Sequence, residues 1–112
     1  MMNLPERFSE TLANYQRHGW QLRRVLLRPE SRAELEASIK TLFAEAIVHE
    51  STLDALWFAR PSHAGREAWE LRLVAETPYA LFETFEQDET EDEREEVRRE
   101  MEARLREYAN RG

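Results

Sequence analysis

At 112 residues the chain has the length for one domain with one core, and its lack of cysteine excludes disulfides, thiolate metal sites and cysteine nucleophiles. The formal net charge of −7 falls in residues 73–112, where six arginines face thirteen acids, while residues 1–72 carry ten of each sign. Nucleic-acid binding requires a basic face that displaces counterions from phosphates, so this balance makes such a partner unfavourable.

Taken in chain order, Met1 to Arg7 shows no apolar run behind a basic start, so no secretory signal is expected. Pro5 to His18 reads as a helix, with Phe8, Leu12 and Tyr15 at helical spacing and Gly19 as its stop. Trp20 to Arg28 reads as a strand with Trp20, Leu22, Arg24 and Leu26 on one face; neither face is cleanly polar, so both are expected to be partly covered. Ser31-Arg32-Ala33-Glu34 has the form of a capping box opening a second helix through Leu35, Ile39, Leu42 and Phe43 to about Ala44 or Glu45.

Four strand candidates follow: Ala46–Ser51, Leu53–Arg60, Arg66–Val74 and Tyr79–Phe85. Pro61 to Gly65 reads as the turn of a hairpin between the second and third. Thr90 and Glu93 form a second capping box at the head of a helix over Glu91–Ala109. Acids crowd its first turn and arginines its later turns, in keeping with the helix dipole.

The expected fold is therefore a single α+β domain over residues 1–112. One antiparallel or mixed sheet of four to five strands is joined by about three helices, in the order α-β-α-β-β-β(-β)-α. Helices against one face of the sheet are the economical packing. The longest apolar runs are only a few residues, too short for a membrane-spanning helix, and a cytoplasmic location follows by elimination.

Few residues suggest chemistry. Three glycines cannot build a phosphate-cradling loop, and His18, His49 and His63 match no metal-ligand spacing. His49-Glu50-Ser51 is not a triad, because adjacent strand residues face opposite sides. The acidic run from Glu86 to Glu96 fails as a calcium loop, with Glu93 at the glycine position and Arg99 at the terminal glutamate position. No metal and no cofactor is implied.

Two groups of residues remain. Arg24 and Arg72 with Trp20, Trp57 and Trp69 would form a site for an anion or a flat ring if the sheet brought them to one surface. The plainer outcome is cross-strand ion pairs over a tryptophan core. Val97, Met101, Leu105 and Tyr108 form a narrow stripe on the last helix, suited to a helix–helix interface with the first helix or with a second copy, or to packing on the chain's own sheet. In size, acidity and order of elements the chain resembles small acidic bacterial chaperones and adaptor proteins, a likeness of architecture with no shared motif. The leading expectation is a small non-enzymatic interaction or adaptor domain, the homodimer being one form of it, with a protein or itself as partner and no membrane. The alternative is a small anion-binding domain or small enzyme using the Arg/Trp surface.

Overall fold

The computed structural model describes residues 2–111. Its elements are α1 (Leu4–Arg17), β1 (Gln21–Leu27), α2 (Pro29–Leu35), a 3₁₀ turn at Glu36–Ser38, α3 (Ile39–Phe43), β2 (Ile47–Glu50), β3 (Ala55–Pro61), β4 (Glu67–Leu73), β5 (Tyr79–Phe85) and α4 (Glu91–Arg111). The strands form one mixed sheet in the order β2-β1-β3-β4-β5. The β1–β2 pair is parallel, as the long crossover through α2 and α3 permits, and the other pairs are antiparallel. The α+β class and the order of elements agree with the sequence.

Local chemistry explains most boundaries. Asn3 Oδ1 accepts from the amide of Glu6 at 2.9 Å and caps α1, and Gly19, at φ +83°, ends the turn that follows it. At the head of α4, Thr90 Oγ1 accepts from the Glu93 amide at 3.1 Å while Glu93 Oε1 accepts from the Thr90 amide at 2.8 Å. The expected box at Ser31 does not form. Its hydroxyl is buried and donates to Asp54 Oδ2 at 2.6 Å, and the helix begins two residues earlier on Pro29. Asp54 also accepts from the Arg28 amide at 2.9 Å, so this carboxylate ties the end of β1 to the start of β3.

Helices cover both faces of the sheet, against the expectation of one. The reason lies in β3. Leu56 and Phe58 pack with Phe8, Leu12 and Tyr15 of α1 and with Leu35 and Phe43, whereas Ala55, Trp57 and Ala59 pack with Met101 and Leu105 of α4. A strand apolar on both sides requires a layer on each. A bulge in β1 adds a second correction. The register slips between Leu22 and Arg24, so Leu22 packs on the α1 side and Leu26 on the α4 side.

Candidate functional site

The bulge turns both Arg23 and Arg24 toward Trp69, with guanidinium carbons 5.9 and 5.7 Å from its ring centroid. Trp69 lies on β4 beside β3, and its ring meets those of Trp57 and Phe85 edge-on at 5.9 and 6.5 Å. From the helical layer, α4 lays Arg98 over the same indole at 4.0 Å, and Arg94 approaches Phe85 at 5.6 Å. Three guanidiniums thus converge on one indole, a geometry in which the ring quadrupole attracts each cation.

Carboxylates thread between these cations. Glu95 accepts from Arg24 at 2.8 and 3.0 Å and from Arg98 at 3.0 Å. Glu91 accepts from the two Nη atoms of Arg98 at 3.1 and 3.4 Å, while the buried Arg98 Nε has no hydrogen-bond partner among the described residues. Glu67 accepts from Trp69 Nε1 at 2.7 Å and lies 3.4 Å from Arg94 and 3.9 Å from Arg23. Glu102 accepts from Trp57 Nε1 at 2.8 Å. Partial burial disfavours the charged form of Glu95, but the hydrogen bonds from Arg24 and Arg98 outweigh it and hold its carboxyl below the usual range. At Glu93, hydrogen bonding to the backbone and then to the side chain of Thr90 lowers the carboxyl in the same direction.

The structure therefore brings Arg24, Trp57 and Trp69 together, beneath α4. Trp20 and Arg72 lie on the other side of the sheet. Trp20 carries Arg60 over its ring at 4.4 Å and meets Phe82 edge-on at 6.4 Å. Arg72 approaches the ring of Tyr15 at 5.7 Å. Tyr15 stacks on Phe58 at 4.0 Å and donates its hydroxyl to Glu70; burial first and that bond second push the phenol up to about 12, with Arg72 opposing them. The five residues do not share one surface, because the bulge in β1 separates Arg24 from Trp20 and strand alternation separates Arg72 from Trp69.

The α4 stripe is occupied within the chain. Met101 and Leu105 are buried against Trp57, Trp69 and Leu71, and Val97 and Tyr108 pack at the margins of the same cluster. Sequence reasoning missed Arg98, which is 2% exposed. A signal was present: Arg94, Arg98, Met101 and Leu105 fall on one helical face, which puts two arginines in line with the apolar stripe.

His49 is exposed on β2, where with Arg24, Arg99, Arg106 and Glu102 it borders a hollow of about 380 Å³ between β2 and α4. His18 accompanies the end of α1, its Nδ1 2.8 Å from the Asn14 carbonyl, and His63 lies in the β3–β4 turn. Among the described residues no three His, Asp or Glu side chains gather as a metal-ligand group, and no helix is long and apolar enough to cross a membrane.

The cluster's chemistry is that of a clasp. Its cations face aromatic rings and carboxylates already in place, and α4, poor in apolar residues, is fastened to the sheet by that arrangement. No family model, curated protein or solved structure matches the chain.

Proposed function

We propose that the chain is a non-enzymatic interaction domain that associates through the free edge of β5, with a second copy of itself as partner. We propose further that it works in the cytoplasm, where a cysteine-free chain needs no oxidising environment. The observation that carries the reading is Phe82, 58% exposed at the middle of a seven-residue edge strand. Edge strands are templates for strand addition unless shortened, bulged or guarded by charge or proline. β5 has Glu83 as its one charged residue and no proline, whereas the opposite edge, β2, has only four residues.

The strand is also self-complementary. Antiparallel pairing about a twofold axis at Phe82 sets the two Phe82 rings side by side and Ala80 opposite Thr84. Glu83 then faces Leu81 of the mate, so no like charges oppose each other. The alternative, an anion held by the Arg/Trp surface, has less support, because Glu91 and Glu95 already take the guanidiniums of Arg24 and Arg98.

Sedimentation equilibrium tests the reading. The intact chain is expected as a dimer and the Phe82→Glu variant as a folded monomer. An intact chain that stays monomeric at high micromolar concentration, or a Phe82→Glu variant that remains dimeric, overturns it.

A further inference from the structure

The helices on opposite faces of the sheet leave one end of it uncapped. A cleft of about 730 Å³ opens there, bounded by the first turn of α1, the connection from β2 to β3, the loop after β4 and the last turn of α4. That volume lies within the ~300–1,000 Å³ typical of small-molecule sites. Its apolar wall includes Leu53, Leu73, Val74 and Tyr108. Tyr108 is braced by Tyr79, whose ring stacks on it at 3.9 Å.

Three guanidiniums border the cleft, and they differ in what they already hold. Arg28 is paired with Asp54 at 3.3 Å and Arg111 with Glu107 at 3.1 Å. Among the described residues, no carboxylate lies within ion-pair distance of Arg7. Arg7 also borders an adjoining hollow of about 410 Å³ that shares Leu73, Val74, Ala75 and Glu76 with the cleft. Arg72 lines that second hollow, and its Nε is buried without a hydrogen-bond partner. An available cation thus stands where the two spaces meet, beside an apolar and aromatic wall.

From this we infer that the cleft binds an amphipathic monocarboxylate, an aliphatic or aromatic acid whose body lies on Leu53, Val74 and Tyr108 and whose head group pairs with Arg7. Glu76, which borders both spaces, selects a singly charged head over a phosphate dianion. No residue of β5 lines the cleft, and the strand reaches it only through Tyr79 behind Tyr108.

An amide chemical-shift titration of the full chain with decanoate, below its micelle concentration, tests the inference. Saturable shifts are expected at residues 4–7, 53–54, 73–77 and 107–111. Decanol, and decanoate with the Arg7→Gln variant, are each expected to bind roughly tenfold more weakly, the size of one charge-assisted hydrogen bond. Ala75→Phe, which narrows the wall and leaves Arg7 in place, is expected to abolish the shifts. Absence of saturable shifts, shifts centred on Phe82 or Ile47, or equal binding of decanoate and decanol would each overturn it.

Discussion

Arg98 carries a charge to a position where an apolar residue would suffice, between Trp69 and Phe85 with guanidinium carbon distances of 4.0 and 5.3 Å. Its Nη atoms are met by Glu91 and Glu95, both of which still reach solvent, so the arginine brings partners to the buried side of α4 without burying them. Removing one partner of a buried pair is usually costly, while an apolar replacement of similar volume often is not. Arg98→Ala is therefore expected to lower stability by about 3 kcal/mol, and Arg98→Met to recover more than half of that, since its stem keeps the contact with Trp69. Urea unfolding of the two variants measures both. Glu95 gives the matching pH dependence. Its carboxyl is depressed in the folded chain below the unfolded value of 4.5, so its contribution is full above that pH and is lost as pH falls through the folded value. Acid titration of the melting temperature should show a decline below about pH 4.5 that is smaller in Arg24→Met, where part of the depression is gone. The sequence carried half of this site. Arg24, Trp57 and Trp69 stand out by residue type, but their cover was legible only as an apolar stripe, because an arginine on a helix reads as solvent-facing until the aromatic ring beneath it is known.

The β3–β4 hairpin shows how far local patterning reaches at the scale of an element. Alternation in Glu67, Trp69, Leu71 and Leu73, together with the Pro61–Gly65 break, defined it, and the pairing runs from Ala55 opposite Leu73 to Pro61 opposite Glu67. The turn itself holds a feature that pattern does not reveal: Ala64 takes φ 57°, ψ 38°, directly before Gly65 at φ 74°. An L-residue in that region costs roughly 1–2 kcal/mol, partly offset by alanine's smaller unfolded entropy. Ala64→Gly is thus expected to raise stability by about 0.5 kcal/mol. Gly65→Ala is expected to lower it by about 1 kcal/mol, chiefly through φ, since the atoms nearest the new methyl belong to the flexible end of Gln87. Thermal unfolding compares the pair. The two capping boxes mark the limit of the same reasoning. Thr90 and Glu93 act as their spacing implies, because nothing remote competes for the hydroxyl. Ser31 has the same spacing to Glu34 but is claimed by Asp54, twenty-three residues away, a partner that only the β1–β3 pairing supplies.

For the whole molecule, what escaped the sequence was the number of layers. Strand order and face assignment are non-local: Leu56-Trp57-Phe58 shows that β3 is apolar throughout, but which helix meets which side depends on β1 lying between β2 and β3. Once α4 is seen as the second layer, its stripe and the β5 edge exchange roles. Leu105 is fully buried between α4 and the sheet, while Phe82 is the most exposed aromatic residue of the sheet. A substitution at Leu105 therefore tests the fold, and one at Phe82 tests the surface. Leu105→Ala is expected to cost about 2–5 kcal/mol, the range for a leucine deleted from a packed core. Phe82→Glu is expected to lower stability by only about 1 kcal/mol when each is compared as a monomer, because most of its surface is already in water and the edge of Trp20 is its aromatic contact. Chemical unfolding of the two variants at low protein concentration separates the cases. A small cost at Leu105 would mean that α4 does not seal the second face, whereas a large cost at Phe82 would mean that the β5 face is covered within a single chain and is not free to pair.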